Sequence, residues 1–198
     1  MKSRYDDTRF DAGRASPLLG GPTFALRFRL MRLAWLLAWR CLAAWTPSPF
    51  HPWRNLLLRL FGARLHPTAI VHGSTSIWWP GNLTMGANAS MGPGVICYNI
   101  APVTLEAFAI VSQRAHLCTG THDIHRAAFP LVSRPILLRS RCWIAAEAFV
   151  GPGTVVGEGA VLGARGVAVR PLEPWTVHTG NPARPTGLRR RDGEGGNP

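Results

Sequence analysis

Aliphatic and small residues recur at every sixth position between Leu138 and Val169. The aliphatic positions are Leu138, Ile144, Val150, Val156, Leu162 and Ala168, and the small ones are Cys142, Ala148, Thr154, Ala160 and Gly166. A period of six is a multiple of two, which suits β-strands and does not suit a helix of 3.6 residues per turn. The pattern therefore predicts short strands that point their small and aliphatic side chains to one inward face.

The same period continues toward the N-terminus with two shifts of two residues. The aliphatic, methionine and cysteine positions are Val71, Ile77 and Leu83, then Met85, Met91, Cys97 and Val103, then Leu105, Val111 and Leu117. A shift of two preserves the face of a strand, so all ten side chains are predicted to point inward. Glycines and Pro-Gly pairs between these positions favour tight corners. A chain that turns a corner every six residues and stacks its coils is a β-helix.

The region from 23 to 63 predicts an amphipathic helical extension before the β-helix. Its first apolar run, residues 24–45, carries Arg27, Arg29, Arg32 and Arg40. Central arginines each cost about 2.5 to 3.5 kcal/mol in a membrane span, so a surface-lying helix is favoured over a spanning one. This helix either packs on the solenoid or a neighbouring subunit, or lies on a membrane. A second helix over residues 52–60 is expected to cap the first coil.

Four segments follow from these patterns. Residues 1–22 are predicted to be a flexible N-terminus, 23–63 the helical extension, 64–186 the β-helix domain and 187–198 a flexible tail. The repeat is interrupted by a loop over residues 118–137, which contains two prolines. A long loop in an otherwise tight repeat is usually functional, so the loop is the first place to look for a site.

The charge and the cysteines restrict the partners and the compartment. The formal net charge is +12, from 22 Lys and Arg against 10 Asp and Glu. Such a balance suits phosphates of a cofactor, anionic lipid or polysaccharide, and no nucleic-acid motif accompanies it. The four cysteines form no close pair, and the N-terminus has no cleavable signal pattern. We expect a cytoplasmic protein with reduced cysteines, and a possible peripheral membrane contact through residues 24–62.

His122 is the candidate catalytic residue of the loop. It follows Gly120-Thr121 and precedes Asp123, at the point where the regular coil gives way. An imidazole takes up a proton near neutral pH, as a hydroxyl requires when it attacks a thioester. An ordinary surface histidine is the alternative reading of the same residue.

Several motifs resemble one known family. They are LCTGTHD (117–123), PILLRSRCWIAAEAFVGPGTVVG (135–157), WRNLLLRLFGA (53–63) and GNPA (180–183). Together they resemble the hexapeptide-repeat O-acetyltransferases of the maltose/galactoside group, and most closely the colanic acid biosynthesis type, over residues 24 to 188. The resemblance implies an all-β fold, a left-handed parallel β-helix with an N-terminal helical extension. It also implies a homotrimer, acetyl-CoA as co-substrate and no metal.

The resemblance assigns roles on the acceptor side. The histidine of the motif is the general base, which falls on His122, and the family tryptophan beside the acceptor and thioester falls on Trp143. Asp123 or a backbone carbonyl would orient His122. Asp123 is also a candidate for substrate binding, as is Asn99, which stands where the sugar acetyltransferases have an acceptor-binding carboxylate. This difference makes a polysaccharide precursor a better candidate acceptor than a simple disaccharide.

The resemblance also assigns the cofactor side. In such enzymes acetyl-CoA lies in a groove between adjacent β-helices, where backbone groups bind the pantetheine arm and basic residues bind the phosphates. By position, the implicated residues are Ala146, Ala164, Val169, Arg170 and Arg184. Arginine suits a phosphate because its planar guanidinium donates two hydrogen bonds at once.

The function implied is acetyl-CoA-dependent O-acetylation of a sugar hydroxyl, on an exopolysaccharide or a lipid-linked saccharide precursor. Backbone N–H groups would stabilise the oxyanion. Two alternatives remain. A zinc lyase of the γ-carbonic-anhydrase kind shares the solenoid and would use His116, His122 and His125, although their positions differ from the separated ligands of that family. A non-enzymatic β-helix scaffold is the other.

Overall fold

The computed structural model describes residues 24–190. The predicted flexible N-terminus (1–22) and residues 191–198 of the predicted tail lie outside the described residues. Two helices come first, α1 (Leu26–Leu42) and α2 (His51–Leu60), with a 3-10 turn (Ser48–Phe50) before α2. The predicted helical extension is therefore present. Among the described residues, no helix is long and apolar enough to cross a bilayer.

The rest of the chain winds through three parallel sheets, which we call faces 1, 2 and 3. Face 1 contains β1 (Arg64–Leu65), β4 (Leu83–Met85), β7 (Val103–Leu105), β12 (Ile136–Leu138) and β15 (Val155–Val156). Face 2 contains β2 (Ile70–Val71), β5 (Ser90–Met91), β8 (Ile110–Val111), β13 (Trp143–Ile144), β16 (Val161–Leu162) and β18 (Thr176–Thr179), with β19 (Arg184–Leu188) antiparallel at its edge. Face 3 contains β3 (Ser76–Ile77), β6 (Ile96–Tyr98), β9 (His116–Cys118), β14 (Phe149–Val150) and β17 (Val167–Ala168). Because the chain visits the faces in turn, it makes five full coils and part of a sixth.

The core lies inside this prism and is made of the predicted inward residues. All sixteen aliphatic, methionine and cysteine positions are no more than 3% exposed. The small positions between them are also buried, and each precedes a strand by one residue. The sequence period is therefore confirmed as the inward face of a β-helix.

Glycine has the predicted corner role at Gly94, Gly153 and Gly159, whose backbone is left-handed, and a second role elsewhere. Non-glycine residues with left-handed backbone are found at seven of the coil corners: Asn88, Phe108, Arg114, Arg141, Glu147, Arg165 and Trp175. By contrast, a Cβ on Gly157 would lie 2.6 Å from the backbone nitrogen of Pro174, and one on Gly86 would lie 2.8 Å from that of Ala107. The glycine after an inward aliphatic is thus needed because the next coil passes too closely for a side chain.

Two boundaries differ from the expected ones. The coil resumes at Ile136, which is buried and pairs with Val103, rather than at Leu138. Most of the predicted loop is ordered as an antiparallel hairpin of β10 (Gly120–His122) and β11 (Leu131–Ser133). At the other end, β19 reaches Leu188, so the first two residues of the predicted flexible tail belong to a strand. Neither the hairpin nor β19 follows the six-residue period, which explains why the pattern did not indicate them.

The helices pack on the N-terminal coils. The indole N–H of Trp35 in α1 donates to the carbonyl of Ile77 at 2.8 Å, and Phe28 contacts Trp79 edge to face. Arg54 of α2 is fully buried, and its guanidinium donates to the carbonyl of Val71 at 2.7 Å and to Thr46 Oγ1 at 2.8 Å. A buried guanidinium with these partners ties α2 to the first coil.

Candidate active site

The hairpin that carries His122 leaves the prism at the corner between faces 3 and 1. Its base is fixed by Thr119, which is fully buried. The hydroxyl of Thr119 donates to the carbonyl of Tyr98 and accepts from the N–H of Ala101, both at 3.0 Å. A Cβ on Gly120 would lie 2.8 Å from Ile100 Cδ1 and 3.0 Å from Tyr98 Cε1, so a larger residue at the start of the hairpin would displace these side chains. These contacts determine where the hairpin begins and therefore where His122 lies.

The imidazole of His122 is held on two sides by Phe129. Its Nδ1 lies 3.0 Å from the carbonyl oxygen of Phe129, and the two rings stack with centroids 4.5 Å apart and planes 8° apart. A carbonyl only accepts, so Nδ1 carries the hydrogen of this bond. In the neutral ring the lone pair is therefore on Nε2, which makes no hydrogen bond within the described part of the chain. This arrangement suits a general base that acts through Nε2.

Asp123 does not orient His122. Its carboxylate accepts the backbone N–H of His125 at 3.1 Å, and its own N–H donates to the carbonyl of Pro130 at 3.0 Å. Asp123 therefore shapes the turn after β10. Of the two orienting groups considered from sequence, the backbone carbonyl is the one found.

Trp143 lies on face 2, with 44% of its surface exposed. Its indole N–H donates to Ser112 Oγ at 2.8 Å. The ring borders a cavity of about 360 Å³ whose other lining residues are Phe108, Ile110, Arg141 and Arg189. Arg189, which follows β19, reaches this cavity and donates to the carbonyl of Arg141 at 2.8 Å. An aromatic ring beside two guanidinium groups can bind a polar or anionic ligand.

One chain does not bring His122 and Trp143 together. The hairpin projects from the corner between faces 3 and 1, whereas Trp143 points outward from face 2. In a three-sided prism, face 2 is the side opposite that corner. Within a single copy, the predicted catalytic residue His122 and the predicted acceptor residue Trp143 thus face away from each other.

Asn99 is not available to an acceptor. It is fully buried, its side-chain oxygen accepts the N–H of Trp79 at 3.0 Å, and its amide donates to the carbonyl of the same residue at 2.8 Å. The expectation that Asn99 binds acceptor is therefore wrong for this chain. The asparagine instead satisfies the backbone of the preceding coil, which an outward carboxylate could not do.

The predicted cofactor residues occupy two corners that border face 3. Ala146 and Ala164 stack at the corner between faces 2 and 3, where the N–H of Arg165 donates to the carbonyl of Ala146 at 2.9 Å. The link between β18 and β19 continues this stack, because the N–H of Ala183 donates to the carbonyl of Val167 at 2.8 Å. Exposed Arg184 follows directly. Val169 and Arg170, both exposed, lie at the far side of face 3 after β17.

A ladder of charges at the same corner was missed from sequence. The carboxylate of Glu147 accepts Nε of Arg114 at 2.9 Å and Nε of Arg165 at 2.7 Å. The hydrogen bonds from Arg165 and then Arg114 lower the pKa of Glu147. Each of the three is the third residue after an inward aliphatic, so the hexad register contained the signal. Two guanidiniums on one carboxylate leave this corner with net positive charge.

The three histidines considered as zinc ligands do not form one cluster. His116 lies on face 3 with its ring 5.3 Å from that of Phe149, and burial lowers its pKa. His125 is exposed at the hairpin turn. Across residues 24–190, no group of three or more His, Cys, Asp or Glu is close enough together to hold a metal ion.

Hexapeptide coils with a histidine-bearing hairpin are the arrangement that the resemblance to hexapeptide-repeat acyltransferases leads one to expect. No protein-family model matches the chain. The chain is 37% identical over 149 residues to the protein named "Putative colanic acid biosynthesis acetyltransferase WcaF" of Escherichia coli K12, covering 75% of this chain and 82% of that protein. The chain therefore belongs to the WcaF family of hexapeptide-repeat acetyltransferases, as the sequence motifs indicated.

Solved structures confirm the fold. A galactoside acetyltransferase in complex with coenzyme A superposes with a TM-score of 0.75 at 20% identity, covering 84% of both chains. A maltose O-acetyltransferase from Clostridium difficile 630 gives a TM-score of 0.74 at 20% identity, covering 84% of this chain and 90% of that one. The predicted left-handed parallel β-helix is thus confirmed.

Proposed function

We propose that this acetyltransferase uses acetyl-CoA to acetylate a saccharide hydroxyl, with His122 as the general base. The main support is the hydrogen bond from His122 Nδ1 to the Phe129 carbonyl, which leaves Nε2 free to accept the hydroxyl proton. As the proton moves to Nε2, the hydroxyl oxygen bonds to the thioester carbon. The carbon–sulfur bond then breaks, and the proton passes from Nε2 to the departing thiolate. The products are the O-acetyl saccharide and free CoA thiol.

Acetyl-CoA is proposed to lie along the corner between faces 2 and 3. Backbone groups of Ala146 and Ala164 line this corner in successive coils, and exposed Arg184 ends the stack. Val169 and Arg170 would contact the cofactor from the other side of face 3. The bound coenzyme A in the structurally similar galactoside acetyltransferase supports the choice of cofactor.

The acceptor is proposed to be an exopolysaccharide unit or a lipid-linked saccharide precursor. The similarity to the colanic acid biosynthesis protein supports this class. Trp143 would stack on the sugar. Arg141 and Arg189 beside it would suit an acceptor with carboxylate or phosphate groups, because guanidinium binds both bidentately.

A complete site is proposed to need two copies in a homotrimer. The support is that His122 and Trp143 are on opposite sides of one prism. A ring of three copies about a threefold axis can bring the hairpin of one copy against face 2 and its adjoining corner on the next.

We propose that the reaction takes place in the cytoplasm, at the inner face of the membrane. Four free thiols, including the exposed Cys41, are consistent with a reducing compartment. The residues 24–62 are the candidate membrane contact.

The test is a screen of acceptor saccharides with acetyl-CoA, monitoring release of free thiol. With a productive acceptor, His122→Ala should lower kcat by at least about a hundredfold, the range expected for a general base. Its affinity for CoA, measured by calorimetry, should stay within about twofold. Full activity in the variant, or no CoA binding by the wild type, would refute the proposal.

A further inference from the structure

Helix α1 has two apolar faces, and residues 24–190 cover only one of them. Phe28, Trp35 and Trp39 are buried against the solenoid. On the opposite side, Leu26, Leu30, Leu33 and Leu37 follow the spacing of four, three and four that places them in one line along a helix. We call these four leucines the outward stripe; they are 66%, 57%, 52% and 56% exposed.

The second helix continues the exposed apolar surface. Trp53, Leu56 and Leu60 of α2 are exposed on the side away from the first coil. The indole N–H of Trp53 donates to the carbonyl of Leu42 at 2.7 Å, which joins this side of α2 to the end of α1. Twelve of the 22 large hydrophobic residues exposed in the described chain lie between residues 26 and 60. Monomeric proteins rarely expose apolar surface of this extent without a partner.

The charges around the stripe indicate which partner. Arg27 is on one side of the stripe, and Arg29 and Arg40 are on the other, all three exposed. No Asp or Glu occurs from residue 12 to residue 105, and within residues 24–190 none of these three arginines forms an ion pair. A line of leucines between arginines matches an anionic lipid surface, where acyl chains take the leucines and headgroups take the guanidiniums.

Two tryptophans are suited to the headgroup level. Trp45 is 73% exposed, and its indole N–H donates to the carbonyl of Cys41 at 2.8 Å. Trp53 is bonded in the same way to the next carbonyl of α1. Amphipathic indole rings concentrate at the interface between membrane and water.

We propose that α1 and α2 form an in-plane docking surface for an anionic membrane, with the outward stripe inserted. The proposal does not depend on the proposed catalysis. It predicts that the full chain binds vesicles containing anionic phosphatidylglycerol, that neutral phosphatidylcholine vesicles bind it far less, and that raising the salt concentration weakens the binding.

Vesicle sedimentation of the full chain tests it with matched variants. The first variant replaces three leucines of the outward stripe by glutamine, a good helix former: Leu30→Gln/Leu33→Gln/Leu37→Gln. Its control replaces three exposed aliphatic residues outside α1: Ile124→Gln/Val169→Gln/Leu188→Gln. Arg27→Gln/Arg29→Gln/Arg40→Gln has as its control Arg126→Gln/Arg139→Gln/Arg190→Gln, which has the same net charge. Both α1 variants should bind anionic vesicles at least about tenfold more weakly than their controls. Equal binding by variant and control would overturn the proposal.

A fluorophore attached to Cys41 can report directly whether this side of α1 enters the membrane. Cys41 follows Leu37 by one helical turn and is exposed, whereas Cys97 and Cys142 are buried. In a Cys118→Ser background, an environment-sensitive fluorophore on Cys41 should shift to the blue on mixing with anionic vesicles. If a second copy of the chain covers the stripe instead, the wild type will not sediment with vesicles and the leucine variant will change its mass in light scattering. That result would overturn membrane docking.

Discussion

Phe129 supports His122 through two separable groups, a ring and a backbone carbonyl. Phe129→Ala removes the stacked ring but keeps the carbonyl that orients Nδ1. Such a stack contributes about 0.5 to 1.5 kcal/mol, so kcat should fall by up to about tenfold. The KM for acetyl-CoA should hardly change, because Phe129 is not expected to touch the cofactor. Steady-state kinetics with a productive acceptor measures both values.

Val132→Ala is the matched control for this change. Val132 is exposed in the same hairpin and pairs through its backbone with Thr121, away from the imidazole. It should leave kcat within about twofold of wild type, as for a surface substitution of small effect. If both variants lost activity equally, general loosening of the hairpin would account for the result and the specific role of the ring would be wrong.

Two buried thiols should make the unfolding free energy fall at alkaline pH. Burial raises the pKa of Cys97 and of Cys142 to about 12. In the unfolded chain these thiols ionise near their ordinary pKa, about 8.5 to 9. The folded chain binds more protons than the unfolded one between that pKa and 12, so stability is complete below pH 9 and falls from there to pH 12. Above pH 9 each thiol lowers the unfolding free energy by up to about 1.4 kcal/mol per pH unit.

Urea unfolding at pH 8 and pH 10 checks this slope. Wild type should lose more stability between the two pH values than Cys97→Ala/Cys142→Ala, which lacks both thiols. The double variant will be less stable at pH 8, because it loses buried sulfur. Only the difference between the two pH values is diagnostic. Parallel losses in the two proteins would contradict the assignment.

At the scale of elements, the spacing between coils depends on particular glycines. A Cβ on Gly157 would lie 2.6 Å from the nitrogen of Pro174 and 2.7 Å from the oxygen of Leu172, both backbone atoms. Gly157→Ala should therefore push the last coil away and lower the unfolding free energy by about 1 to 3 kcal/mol. Chemical denaturation at neutral pH measures the loss.

Gly187→Ala makes the same chemical change without the contact. Nothing lies within 4 Å of the Cβ that it would add in β19. The expected effect is within about 0.5 kcal/mol of zero. A comparable destabilisation by both alanines would mean that steric contact with the next coil is not the reason for Gly157.

The elements with the six-residue period could be predicted from sequence, and the others could not. Leu138 and Val71 are inward because small and aliphatic side chains alternate along a strand, which is a local property. The hairpin β10–β11 and the strand β19 have no such period. Their positions depend on contacts such as Thr119 with Tyr98, between residues 21 apart in sequence. A local pattern does not contain those contacts.

The candidate site shows the same division. His122 was found by a motif, because its identity and its neighbours in sequence carry the signal. The group that orients it is a carbonyl seven residues away, across a turn in which Phe129 has left-handed backbone. Asn99 was misassigned because its place in the family pattern suggested an acceptor contact, whereas its burial assigns it to the backbone of Trp79. Residue type indicated the chemistry, but only the fold determines which side chains are free to perform it.

At the scale of the whole molecule, the prism separates the two groups that the proposed reaction would need together. The hairpin that carries His122, the proposed general base, extends from one corner. Trp143 and the cavity beside it lie on the opposite face. A monomer would have a base without an acceptor surface. The proposed ring of three copies would bring the two groups together through one repeated interface, because each copy would supply its hairpin to one neighbour and its face 2 to the other.

Mixed trimers test this arrangement directly. His122→Ala and Trp143→Ala should each be nearly inactive alone. When the two are co-expressed with different tags, a site is complete only where an intact His122 faces an intact Trp143 of the next copy. In a threefold ring that contains both variants, one of the three sites has this pairing, so the doubly tagged protein should recover about a third of wild-type kcat. If each site used both residues of one chain, every site would carry a defect and mixing would restore nothing. Thiol release by the purified doubly tagged protein distinguishes the two cases, with the separately expressed variants mixed just before the assay as the control for exchange.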